Sequence, residues 1–258
     1  MPDDDFPKGD SPALGAALAT LRERYGSQAV RAGAGRGAEG LPTGIGALDA
    51  LTGQGGLCRG RLTWLAGEAG QGWFDLGLAL LAHLSLSIPA VLVDFSGRVD
   101  PNDIEAYGGD LGNFWLVRPR RPEQGWAAAR ALAEAGAGMC LMVADRWEPA
   151  GRAAPATLIG ALESGSGVGL ICGGPSLPGE VASRVSMEIE CRRLAWTRAH
   201  RDISGIWLRL QVGRSRMGGG GRSCRLRIAL PRPYALRAGV VEADLEAGSR
   251  GVRMEASG

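Results

Sequence analysis

A chain of 258 residues is long enough for one substantial hydrophobic core with a small appendage. Its hydrophobic content of 45% is ordinary for a globular protein. A formal charge of +2 excludes a strong overall field steering it to nucleic acid or to a membrane surface.

The five cysteines (Cys58, Cys140, Cys172, Cys191, Cys224) form no C-x-x-C pair, and the two histidines are His83 and His200, so no zinc site is expected. Cys140 and Cys172 lie inside apolar runs, as buried free thiols of a reducing compartment do. Met1–Asp5 is acidic, unlike a secretory leader, and no apolar run reaches the ~18 residues of a membrane span. A cytoplasmic protein without membrane contact is the expectation.

Residues 1–10, acidic and proline-containing, are expected to be disordered. Ser11-Pro12 then opens a predicted helix over 11–26, where Leu14, Ala17, Leu18, Leu21 and Tyr25 form one apolar stripe and Gly26 ends the run. Residues 27–40, rich in glycine and arginine, read as a flexible linker. The tethered helix needs a surface to pack on, its own core or another molecule.

The body is expected over 41–230. Apolar runs predict strands at 61–66, 90–95, 114–117, 139–145 and 168–172, and helical patterns fall at 73–86, 101–107, 123–136 and 154–163. Such alternation implies a mostly parallel sheet with helices on both faces. After Ser186 the helices stop, and Ser186–Trp196, Gly205–Gly213 and Arg222–Leu230 suit antiparallel strands extending the sheet. Residues 231–258 read as a partly disordered tail.

Between the first of these strands and its helix lies Gly67-Glu-Ala-Gly-Gln-Gly-Trp-Phe-Asp75. Gly67 and Gly72 have the spacing of the phosphate-binding loop G-x-x-x-x-G-K-[ST], and Gly70 adds flexibility. Trp73, however, stands where the lysine should be, and Phe74 where a hydroxyl should hold magnesium. An indole brings one N–H, no charge and a large apolar body. Lys8 is the only lysine in the chain, so no other lysine can substitute. Taken alone, the nine residues favour an ordinary strand–helix turn that never bound nucleotide, since glycines are abundant throughout the chain.

In its order of blocks the chain resembles bacterial RecA and the RecA-like accessory proteins of mutagenesis cassettes, the ImuA group, also described as SulA-like. The blocks are Leu14–Gly26, Leu41-Pro-Thr-Gly-Ile-Gly-Ala-Leu-Asp49, Gly55–Arg61, Val91-Leu-Val-Asp94 with Asp100-Pro101, and Val212-Gly-Arg-Ser-Arg-Met217. The resemblance implies an α/β fold: a RecA-like P-loop core with a mostly parallel central sheet, C-terminal antiparallel strands and a tethered N-terminal helix. It also implies that the family's catalytic glutamate falls on Ser96, its γ-phosphate-sensing glutamine near Gly174, and its magnesium-supporting aspartate on Asp145. A serine is a poor general base and a glycine senses nothing. With Trp73 and Phe74, four of five chemical positions depart from the pattern. A pseudo-ATPase that takes no cofactor and no metal is expected, with Asp145 reading instead as a helix-capping residue.

The family's two DNA-holding loops correspond to Arg146–Pro155 and about Pro175–Arg184, both short. Trp147 with Arg146 and Arg152 reads as a solvated loop rather than a base-stacking platform, and Arg118-Pro-Arg-Arg-Pro122 as an exposed turn. DNA contact is therefore expected to be weak or indirect. In the family, cations matching Arg214 and Arg216 reach a neighbouring protomer's ATP; the bland alternative is an exposed hairpin with alternating outward charges, helped by Gly218–Gly221. Protein interfaces are accordingly expected at Leu14, Leu18, Leu21 and Tyr25 on the helix, and at Arg214 and Arg216.

What the resemblance implies for function is a non-catalytic adaptor in the SOS DNA damage response and translesion synthesis, nucleoid-associated in the cytoplasm. Its partners would be a RecA protomer or filament end and a Y-family polymerase-like protein. The alternatives are a divergent active recombinase or ATPase, and a self-assembling structural protein. Trp73 is expected to plug the phosphate cavity, and Trp64, Trp73 and Trp196 to lie in the core.

Overall fold

The computed structural model describes residues 40–149, 151, 153–199, 202–230 and, for the backbone, 239–246. The expected helix 11–26, with Leu14, Leu18, Leu21 and Tyr25, lies outside the described residues, as do residues 1–10 and most of the linker.

The described chain opens with a two-residue strand β1 (Gly40–Leu41) paired antiparallel with β2 (Leu57–Cys58), and α1 (Gly46–Thr52) lies between them. Then come β3 (Leu62–Ala66), α2 (Trp73–Ser85), β4 (Ala90–Asp94), α3 (Pro101–Ala106), β5 (Phe114–Val117), α4 (Pro122–Glu134), β6 (Met139–Ala144), α5 (Ala153–Gly165), β7 (Val168–Gly173) and α6 (Gly179–Ala182). Four strands close the order: β8 (Met187–Ala199), β9 (Asp202–Ser215), β10 (Ser223–Ala229) and β11 (Gly239–Glu246).

β3 to β11 form one sheet in the order β11-β10-β9-β8-β3-β7-β6-β4-β5. From β8 to β5 every pairing is parallel; from β8 to β11 every pairing is antiparallel. The expected mostly parallel α/β sheet with antiparallel strands at one end is present. Within the late segment, β8 is the hinge, parallel to β3 on one side and antiparallel to β9 on the other.

Strand side chains alternate between faces, and here both faces are buried. Leu62, Trp64 and Ala66 of β3, with Val91 and Val93 of β4, enter a core shared with Trp126 of α4 and with Leu158 and Leu162 of α5. Leu65 and Leu92 enter a second core, with α1, α2, α3 and the inward face of β8, β9 and β10. Two-sided burial is why these strands read as unbroken apolar runs. Helix starts are equally legible: Pro122 sits in the first turn of α4, and Asp100 closes a capping box on α3.

Two expectations need correction. Trp196 is 43% exposed. β3 pairs with β8 only as far as Ala66 opposite Glu190, so the outer part of the β8–β9 hairpin overhangs the layers that would bury an indole. In addition, β11 lies in the segment read as tail, where it pairs along the full length of β10.

Candidate functional site

The C-terminal ends of β3, β4, β6 and β7 meet at one edge of the sheet, where open α/β folds place their ligand crevices. The loop after β3 is held open-handed by glycines: Gly70 and Gly72 have φ of 75° and 89°. At Gly72, the N-cap of α2, a Cβ would come within 2.5 Å of Leu208 Cδ2, so only glycine fits. Protein atoms fasten the loop at several points. Gly67 N–H donates to Gly173 O at 3.3 Å and Gln71 N–H to Glu68 O at 3.1 Å. Arg193 N–H donates to Gln71 Oε1 at 2.9 Å, and the Arg193 guanidinium to Gly70 O at 2.5 Å.

Trp73, the first residue of α2, is 3% exposed, and its Nε1–H donates back to Glu68 O at 3.0 Å. The indole thus lies against the underside of the loop, its Cδ1 2.9 Å from where a Cβ on Gly67 would stand. Phe74 packs edge-on to Trp73, with ring centroids 6.0 Å apart, and presents its face to the Arg98 guanidinium at 5.5 Å. Arg98 Nη1 in turn donates to Asp145 Oδ1 at 2.6 Å. The reading of Asp145 as a helix cap is therefore incorrect. Among the described residues the next helix after Asp145 begins at Ala153, and the carboxylate is instead paired with Arg98 from the β4–α3 loop.

Ser96 faces inward. Its hydroxyl donates to Asp94 Oδ1 at 2.7 Å, joining the backbone N–H groups of Ser96, Gly97 and Val99 around a carboxylate only 2% exposed. Arg118 Nε lies 3.9 Å from the other Asp94 oxygen, and Arg118 Nη2 donates to Val99 O at 2.5 Å. The first arginine of the basic turn is thus a brace for the β4–α3 loop. Gly174 is packed too, since a Cβ there would stand 3.0 Å from Asp145 O.

A cleft of ≈ 910 Å³ remains above this edge, bounded by Glu68 and Trp73, by Arg98 and Asp145, and by Gly174–Pro178. Trp147 also lines it, and its ring packs at 5.4 Å on Phe95 and 6.3 Å on buried Trp126. The solvated-loop reading of Trp147 is corrected accordingly: its ring belongs to an aromatic cluster. Deeper in α2, Tyr107 O–H donates to Asp75 Oδ1 at 3.1 Å. Burial pushes the Asp75 carboxyl up, and the Tyr107 hydrogen bond partly offsets this.

Arg214 and Arg216 leave β9 on the other side of β8. Both are exposed, and they donate to Ala182 O at 2.7 Å and Ser183 O at 2.5 Å, the carbonyls ending α6. Burial raises the neighbouring Glu188 carboxyl, and the Arg214 charge lowers it. All five cysteines are free and buried, and burial pushes the Cys140 thiol up to about 12. Among the described residues no His, Cys, Asp or Glu cluster of three or more could hold a metal ion, and no helix is long and apolar enough to cross a membrane.

Reading the sequence did not find Arg98, Tyr107 or the Gln71–Arg193 pair. Each acts through a contact between segments distant in the chain, and no local pattern marks such a partner.

Comparison with known proteins agrees with this architecture. The family model of the RecA N-terminal domain matches residues 12–150. Protein RecA of Aquifex pyrophilus is 33% identical over 129 residues, covering 48% of this chain and 37% of the relative. Protein RecA of Streptomyces ambofaciens is 34% identical over 137 residues, covering 52% and 37%. Protein RecA of Methylococcus capsulatus is 34% identical over 138 residues, covering 52% and 40%. The match thus spans about two fifths of the length of these relatives. With a family model covering more than half of its residues, laid over a sheet whose loops converge on a phosphate-loop turn, the chain belongs to the RecA family.

Proposed function

We propose that this protein is a non-hydrolysing RecA-fold adaptor of the ImuA type. It serves DNA repair by translesion synthesis, with a RecA filament and a Y-family polymerase-like protein as partners. One arrangement carries the reading. The indole of Trp73 occupies the loop from within, bonded to Glu68 O, while Arg98 takes the carboxylate of Asp145. The residues present do not fit a magnesium triphosphate. The lysine position is apolar and buried, the hydroxyl position is a phenyl ring, and the aspartate already has a cation.

Ser96, spent on Asp94, is not positioned as a base toward the cleft. Membership of the RecA family supports a place in DNA repair, and the family's filament contacts supply the route to partners. In this reading the 11–26 helix and the arginines Arg214 and Arg216 dock on a RecA protomer. Lacking a nucleotide-gated face, the protein caps the filament instead of extending it.

Titrating the purified protein into RecA filaments on single-stranded DNA tests this. Shorter filaments and a lower RecA ATPase rate are expected. Unchanged length and rate, with no co-sedimentation, would overturn it. The open ≈ 910 Å³ cleft favours a second reading, a divergent ATPase. Tight magnesium-dependent ATP binding would select it.

A further inference from the structure

The two basic clusters that look unrelated in the sequence, Arg118–Pro122 and Arg146–Trp147, converge in space. Arg120 and Arg121 come from the turn between β5 and α4, and Arg146 from the loop after β6. Together they rim a pocket of ≈ 210 Å³ whose wall is the aromatic cluster Phe95, Trp126 and Trp147. The wall is rigid. Trp147 meets Phe95 and Trp126 in edge-on or tilted contacts, and Trp126 is fully buried. Phe95 and Pro119 lean on Gly125, where any side chain would collide with the Phe95 ring.

The rim is different in character. Arg98, Arg118 and Arg193 are engaged with oxygens of the chain. By contrast, among the described residues no side-chain hydrogen bond or ion pair holds the guanidinium groups of Arg120, Arg121 or Arg146, and all three are exposed. One carboxylate, Glu148, shares the lining and does not neutralise three arginines.

We infer that this pocket is a docking site for an acidic peptide of a partner protein, one in which a short run of carboxylates adjoins a phenylalanine. The volume suits a single aromatic side chain, which would stack on the preorganised rings. The arginines suit several carboxylates, which each can grip through two parallel N–H groups. A small aromatic pocket ringed by arginine is also the composition of interaction hot spots. Arg146 and Trp147 also line the larger cleft, whereas Arg120 and Arg121 do not, so the Arg120 and Arg121 variant separates this inference from nucleotide binding at Gly67–Gly72.

Fluorescence anisotropy of a labelled Glu-Glu-Glu-Phe peptide, on protein carrying Phe6→Ala so that its own Asp3-Asp-Asp-Phe6 cannot compete, tests the site. Saturable binding is expected. Arg120→Glu with Arg121→Glu, and separately Arg146→Glu, should each weaken it by about tenfold or more. On the peptide side, replacing the phenylalanine by alanine should do the same without touching the protein. Absence of saturation up to about 1 mM peptide overturns the inference. So does binding indifferent to the arginines or to the phenylalanine. Tighter binding of an oligothymidylate through the same three arginines also overturns it, since the pocket would then be a nucleic-acid contact.

Discussion

Arg98 and Asp145, 47 residues apart in the chain, meet at 2.6 Å across the mouth of the crevice. The pair ties the β4–α3 loop to the end of β6, and Arg98 rests at the same time on the ring of Phe74. Both partners are about half exposed. A double-mutant cycle with Arg98→Ala and Asp145→Ala should therefore give a coupling below about 1 kcal/mol, shrinking as salt is added. Urea denaturation of the four proteins reads it directly. A coupling of several kcal/mol would mean that the pair is far better shielded than its exposure indicates.

Trp73 is the opposite case, a buried side chain with a single polar partner. Trp73→Ala should destabilise the fold by about 3–5 kcal/mol through the cavity it leaves. Trp73→Phe keeps much of the packing and loses the bond to Glu68 O; it should cost less. Chemical denaturation monitored by circular dichroism separates the two. Similar losses would show that the hydrogen bond, not the packing, dominates.

Reintroducing lysine and hydroxyl in Trp73→Lys with Phe74→Thr should not produce ATP hydrolysis. Ser96 remains committed to Asp94, and Gly174 still has no side chain. Phosphate release under saturating ATP and magnesium checks this. A turnover clearly above that of the unaltered protein would show that two residues were the whole deficit.

Asp75 makes stability depend on pH. Burial raises its folded-state pKa above the ordinary 3.8, so the folded state holds this proton more tightly than the unfolded chain does. Its contribution is then complete below pH 3.8 and is lost as pH rises through the raised value. Asp75→Asn keeps an acceptor for Tyr107 O–H and removes the titration. Relative to the parent, the variant should gain stability as pH increases from 4 to 7, where thermal melts can follow it. A parallel pH profile for the two proteins would place the effect elsewhere.

Thiol accessibility is a further check on the cores. Cys58, Cys140, Cys172, Cys191 and Cys224 are all buried, and burial raises the thiol pKa of Cys58, Cys140, Cys172 and Cys191. An aromatic disulfide reagent at neutral pH should leave them unmodified in the native protein and titrate all five after unfolding. Rapid native labelling at Cys191 would contradict its seat between β9 and the Gly67–Gly72 loop.

The parallel half of the sheet was legible because both of its faces are covered. The runs at β3, β4, β6 and β7 are apolar at nearly every position, and turn residues punctuate them. β11 was not, because Gly239–Glu246 follows Pro231 and Pro233 and carries acids at alternate positions after Val241; its evidence lies in β10. Trp196 misled for a related reason. A strand position implies burial only where another layer covers it, and the hairpin outruns that layer. At the site, the spacing of Gly67 and Gly72 and the identities of Trp73 and Phe74 were visible in the sequence. Arg98 on Asp145, and the convergence of Arg120, Arg121 and Arg146, were not, since loop conformation alone brings them together.

The position of β11 sets an order on biogenesis. One of the two edge strands of the sheet, β11, is also the last along the chain among the described residues, so a nascent protein lacks it until synthesis has passed residue 246. Until then β10, with Cys224, Leu226 and Ile228 on its inward side, ends in a bare row of amide and carbonyl groups. A message truncated after Ala229 would release a polypeptide whose rim recruits other strands, and such a product is destined for aggregation or the protease.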